Sequence, residues 1–84
     1  MTTTAENNEV NALVSTIRPL LTGHAAPVQG TVLADLLAMW LADHSVPGDA
    51  DETLKIRTQL LVQHLFIVRR LTELYAPLDE LKKG

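Results

Sequence analysis

Apolar residues recur every three or four positions along three stretches of the chain, which is the spacing of one face of an α-helix. The pattern predicts helices over about residues 6–22, 27–44 and 50–75, a tail over 77–84, and frayed residues ahead of the first helix. At 100° per residue, the apolar arc covers about 120° of the first helix, about 220° of the second and about 180° of the third. Pro19 lies on the polar face of the first helix, where we expect it to bend or end the helix.

Residues with special backbone preferences mark the ends of these helices. Gly23 suits the position that follows the first helix, and Pro27 suits the first position of the second. Residues 45–48, with the sequence Ser-Val-Pro-Gly, have the composition of a turn. Asp49 is a good N-cap for the third helix, and Glu52 follows three residues later, as in a capping box.

The short connections between the helices favour antiparallel neighbours. We therefore expect an all-α fold with one three-helix domain over residues 1–84. In it, the second and third helices form a long antiparallel hairpin, and the first helix packs across that hairpin. The hairpin helices carry more apolar surface than the first helix and each other can cover. Because large apolar patches are rarely left exposed, this surplus predicts a helical-bundle homodimer.

The residues that break the expected pattern are the candidates for the interface. Val62 and Phe66 are four residues apart on the otherwise polar face of the third helix. On the second helix, whose apolar arc is the widest, the candidates are Leu37, Trp40 and Leu41. These five side chains are the predicted contact with a second chain.

Three polar residues are expected to be buried: His64, Asp35 and Arg57. His64 lies at the centre of the apolar arc of the third helix, where a buried imidazole needs a hydrogen-bond partner. Thr31 or Asp35 on the second helix could supply that partner. Arg57 also lies within the apolar arc, and we expect its charge either to reach solvent or to meet Asp43 across the hairpin.

The chain shows no pattern typical of catalysis, of a cofactor or of a metal site. It has no cysteine and no closely spaced pair of histidines on one helix. We expect His44 to stack on Trp40 and to lie at least ~18 Å from His64, judged by the helical rise. Asp35 and Asp43 lie eight residues apart on the second helix, about 80° from each other around its axis, and are not a close carboxylate dyad. No enzyme activity, metal or cofactor is therefore predicted.

The charge and hydropathy of the chain restrict its partners and location. A formal net charge of −3 argues against a nucleic-acid surface, and Arg69 and Arg70 are interpreted as part of a solvated face. The longest nearly apolar run, 32–42, is too short to cross a bilayer. The first six residues lack the basic and apolar segments of a secretion signal, so we expect a cytoplasmic location.

The leading functional hypothesis is a helical protein–protein interaction or dimerisation module, such as a regulator, an adaptor or a small chaperone. An alternative is a sensor that holds a small molecule in an apolar pocket between the helices, lined by Met39, Trp40, His64 and Phe66. A DNA-associated regulator is the third and weakest hypothesis, because the chain offers little positive charge.

Overall fold

The structure, a computed structural model, describes residues 3–82, and within this range it is built from helices and carries no β-strand. The helices are α1 (Thr4–Leu21), α2 (Ala26–Ala42), α3 (Ala50–Tyr75) and α4 (Leu78–Lys82). The all-α prediction is confirmed, and α4 supplies the extra turn in the tail. None of the helices in this range is both long and apolar enough to cross a bilayer. The chain divides into two compact units, Met1–Asp35 and Leu36–Gly84.

The α1 helix begins two residues earlier than its hydrophobic pattern predicts, because Thr3 caps it. The Thr3 hydroxyl accepts a hydrogen bond from the Glu6 backbone N–H at 3.1 Å. The Glu6 carboxylate in turn accepts one from the Thr3 backbone N–H at 3.2 Å, which completes a capping box. The hydrogen bond from the Thr3 backbone N–H to the carboxylate, and after it an interaction of the carboxylate with the Thr3 hydroxyl, lower the pKa of Glu6. The expectation of fraying is therefore wrong for residues 3–5, and Met1 and Thr2 lie outside the described residues.

The α1 helix continues through Pro19 and ends at Leu21, so the alternative that Pro19 stops the helix is wrong. Past the proline, the backbone N–H and the hydroxyl of Thr22 both donate to the carbonyl of Arg18, at 3.3 and 3.2 Å. Gly23 then adopts a positive φ of 89°, as expected for the residue that follows a helix.

The α2 helix begins at Ala26 and ends at Ala42. Pro27 is therefore its second residue, one position later than expected. The helix stops two residues before the predicted end at His44. It belongs to both compact units, since the division between them falls after Asp35.

The loop between α2 and α3 is held by short hydrogen bonds. Gly48 has a φ of 76°, which a residue with a Cβ adopts only with strain. The predicted N-cap is confirmed, because the Asp49 side chain accepts from the Glu52 backbone N–H at 2.9 Å. The Thr53 hydroxyl accepts from the backbone N–H of Val46 at 2.9 Å and lies 2.8 Å from the carbonyl oxygen of Asp49. One hydroxyl on α3 thus fixes the path of the loop.

Two glycine-to-alanine substitutions are expected to change stability in opposite directions. At Gly48 the positive φ makes alanine unfavourable by about 1 kcal/mol. Gly30 lies inside α2, and a Cβ built there meets nothing within 4 Å, so Gly30→Ala should raise the free energy of unfolding by about 0.5–1 kcal/mol. Urea denaturation followed by circular dichroism measures both. Equal effects of the two substitutions would contradict the assignment of the Gly48 backbone.

The contacts within the unit Leu36–Gly84 make α2 and α3 antiparallel. From the loop towards the N-terminus, Val46 is hydrogen-bonded to Thr53, His44 is hydrogen-bonded to Arg57, and the Trp40 ring contacts that of His64. The residues on the α2 side therefore descend in number as their partners on α3 ascend. The predicted hairpin contact is confirmed, whereas the packing of the first helix across it and the homodimer stay predictions.

Most of the half-buried residues of this unit lie along the line where the two helices meet. On α3 they recur at helical spacing and define one face, namely Thr53, Ile56, Arg57, Leu60, Leu61 and His64. On α2 and the loop they are Leu37, Leu41, His44 and Val46. No residue in the described part of the chain is fully buried. The hairpin by itself thus covers only one face of α3.

Candidate functional site

An aromatic cluster joins the two helices of the hairpin, with Trp40 in contact with two imidazole rings. The ring centroids of Trp40 and His44 are 4.9 Å apart, and those of Trp40 and His64 are 4.6 Å apart, both edge to face. His44 Nδ1 lies 2.8 Å from the carbonyl oxygen of Trp40, and His64 Nδ1 lies 2.7 Å from that of Leu60. Because a carbonyl only accepts, each Nδ1 carries the hydrogen, and each neutral ring keeps a free lone pair on Nε2.

The structure gives His64 a different partner from the one expected. Its hydrogen bond is made to the carbonyl of Leu60 on its own helix, and the ring is half-buried. Thr31, proposed as a partner from the sequence, donates its hydroxyl to the carbonyl of Pro27 instead. Asp35, the other proposed partner, is exposed. The backbone of α3 therefore supplies the hydrogen-bond partner of His64, and no polar group on the facing helix is required.

The expected separation of His44 and His64 is wrong. Both rings contact Trp40, so their centroids are no farther apart than the sum of the two distances, 9.5 Å. The expectation placed His44 at the level of the start of α3. In the structure the loop brings the backbone of His44 beside Arg57, only two helical turns before His64.

Arg57 reaches across the hairpin, but its partners are backbone carbonyls and not the carboxylate of Asp43. Its Nε donates to the carbonyl of His44 at 2.9 Å, and a terminal nitrogen donates to the carbonyl of Ala42 at 3.1 Å. Ala42 is the last residue of α2, where helical carbonyls lack partners and the helix dipole is negative. A half-buried cation on α3 therefore caps the end of α2.

The aromatic cluster does not amount to a metal centre. Two imidazoles supply fewer ligands than the three or four protein side chains that zinc sites use. Among residues 3–82 no three His, Cys, Asp or Glu side chains are grouped closely enough to hold an ion. The cluster packs α2 against α3 and orients the Trp40 ring, which contacts both imidazoles.

The outer face of α3 presents a second cluster, formed by apolar side chains. Val62, Leu65 and Phe66 are 45, 54 and 66% exposed. Together with Arg69 they line a shallow hollow of about 240 Å³. By helical angle this face lies roughly opposite the one that carries Arg57 and His64. The structure thus brings together the two interface candidates that the sequence placed on α3.

Leu65 and Arg69 belong to this outer cluster, although neither was named as an interface candidate. The helical angle of Leu65 is only about 60° from that of Val62, so the two side chains lie on neighbouring parts of the helix surface. The candidates from α2 lie apart from this cluster. Leu37 and Leu41 are half-buried, and Trp40 contacts His64 on the hairpin side. The five interface candidates therefore do not form one surface.

Another hollow, of about 750 Å³, lies where α3 gives way to α4. It is lined by Ile67, Arg70, Leu71, Glu73, Leu74 and Pro77. The pocket predicted between the helices involves other residues, since none of Met39, Trp40, His64 and Phe66 lines this hollow. The C-terminal half of α3 thus has apolar recesses on more than one side.

Comparisons of the chain with protein-family models, with curated protein sequences and with solved structures found no significant match. The candidate site is therefore defined by the geometry of this chain and not by similarity to another protein. It combines a hairpin locked by Arg57 and the Trp40 cluster with an apolar outer face centred on Phe66.

Proposed function

We propose that the chain is a helical interaction module that pairs with a second copy of itself through the unit Leu36–Gly84. The observation that carries this proposal is the exposure of apolar side chains on its last two helices. Eleven large apolar residues of α3 and α4 are at least 40% exposed. They are Leu54, Val62, Leu65, Phe66, Ile67, Val68, Leu71, Leu74, Tyr75, Leu78 and Leu81.

The amount of apolar surface fits a protein interface. If each of these side chains still has about 70 Å² to bury, they offer on the order of 800 Å² in all, distributed over several faces of α3 and α4. A standard-size protein interface buries a similar area, about 800 Å², on each partner. Surface of this size is rarely left open to water, so a partner stabilises the chain.

A second copy is the partner that the chain's own surfaces support. The α1 helix offers a single apolar stripe, which is enough to cover one face but not the several apolar faces of α3. Paired helical hairpins form a four-helix core, and symmetric dimers are the commonest assemblies of soluble chains. The hairpin holds α3 beside α2, which prepares its outer face for docking without further ordering.

Sedimentation velocity tests the proposal directly. The unchanged chain at about 1–100 µM should sediment as a dimer of twice 9.2 kDa, with monomer appearing only on dilution. The reason is that an interface of standard size commonly gives micromolar or tighter association. A monomer throughout this range would overturn the proposal.

A further inference from the structure

Four residues on the outer face of α3 are arranged symmetrically about the level of His64. Val62 and Phe66 lie two residues before and after it, and Lys55 and Glu73 lie nine residues before and after it. At 100° per residue, these four flanking positions fall within about 40° of one another around the helix. Reversing the helix about this level therefore exchanges one apolar residue of this set for the other, and the basic residue for the acidic one.

We propose that two copies of α3 pack antiparallel through this face, with the two-fold axis at the level of residue 64. This inference rests on the proposed self-association and specifies its register. A two-fold axis at that level places Val62 against Phe66 of the second copy. It also places Lys55 against Glu73 of the second copy, and each contact occurs twice, as in any isologous interface.

The length and composition of α3 accommodate this register. Lys55 and Glu73 are separated by about 27 Å along the helix, and both lie inside the range of α3. From Thr58 to Val68 the helix carries no Asp, Glu, Lys or Arg. The middle of the contact is therefore uncharged, and Leu65 lies beside the axis, where its own copy approaches it.

The charges at the two ends select the antiparallel arrangement. A parallel pair would place Lys55 against Lys55 and Glu73 against Glu73, which is repulsive at both ends. Arg69, which lines the same hollow, falls opposite the neutral Gln59 of the second copy. One carboxylate oxygen of Glu73 accepts a 3.3 Å hydrogen bond from the backbone N–H of Leu78, and the carboxylate is exposed.

A charge exchange tests the register. Glu73→Lys and Lys55→Glu each create two like-charge contacts, so each variant should weaken the dimer about tenfold. The double variant restores opposite charges and should return the dissociation constant to within about threefold of the unchanged chain. Lysine and glutamate have similar helix propensities, so both changes preserve α3, although Glu73→Lys also removes the exposed hydrogen bond from the Leu78 N–H. Glu9→Lys makes the same change in net charge on α1 as Glu73→Lys makes on α3, and it serves as the control.

The results separate this inference from the proposed function. Two weakened single variants with a restored double variant support the register. If the unchanged chain is a dimer but the single variants behave like Glu9→Lys, or the double variant stays weak, the register is overturned while self-association stands. A monomeric unchanged chain overturns both.

Discussion

A Phe66→Asp variant should be monomeric at concentrations where the unchanged chain is dimeric. Burying a phenylalanine side chain contributes about 1.5–3 kcal/mol, and a symmetric dimer contains two of them. An aspartate at the same position adds the desolvation of two carboxylates among apolar side chains. The dissociation constant should therefore rise at least about 100-fold, measured by sedimentation velocity or light scattering.

Phe66→Leu is the matched control for this substitution. Leucine keeps an apolar side chain of similar reach at a position that is 66% exposed in the single chain, so most of the association should remain. Circular dichroism should show that both variants keep the helix content of the parent. If the Phe66→Asp variant stays dimeric, the outer face of α3 is excluded as the interface.

An Arg57→Leu variant should lose about 2 kcal/mol of the free energy of unfolding. The guanidinium donates to two carbonyls at the end of α2, at 2.9 and 3.1 Å, and hydrogen bonds from a charged donor are stronger than neutral ones. Its positive charge also interacts favourably with the negative end of the α2 dipole. Urea denaturation at a fixed protein concentration, followed by circular dichroism, measures the loss.

Two further variants isolate the contribution of this cap. Arg57→Lys keeps the charge but cannot span both carbonyls with a planar group, so it should fall between the parent and Arg57→Leu. Arg70→Leu removes an arginine from the same helix that makes no hydrogen bond with the described residues 3–82. This change should alter stability by less than about 0.5 kcal/mol. A loss as large as that at Arg57 would show that the effect comes from charge alone.

Much of the fold could be predicted from the sequence because helix periodicity and turn chemistry are local. The positive φ of Gly23 and the N-cap at Asp49 both appeared at the positions that their residue types indicate. The start of α1 was missed although its signal was present. Thr3 and Glu6 have capping-box spacing, but they precede the first apolar residue of the helix, so the hydrophobic pattern alone does not indicate them.

The candidate site could be predicted only in part, because its contacts depend on the conformation of the loop between α2 and α3. Val62 and Phe66 were visible as apolar breaks in a polar face. The contact of Trp40 with His64 in addition to His44 was not visible, since the loop shifts the end of α2 along α3 by a distance that the helical pattern does not reveal. The partners of Arg57 are main-chain carbonyls, which every residue carries, so side-chain pairing rules pointed to Asp43 instead.

The hydrogen bonds that hold the loop between α2 and α3 also affect the order of events during folding. The polar bonds that hold the hairpin join residues only 7, 13 and 15 positions apart, so closing them requires short loops with little loss of chain entropy. Chains rich in such near contacts fold in microseconds to milliseconds, far faster than two dilute molecules meet. If the chain self-associates as proposed, we therefore expect the hairpin to close at a rate independent of concentration, before a second molecule is met.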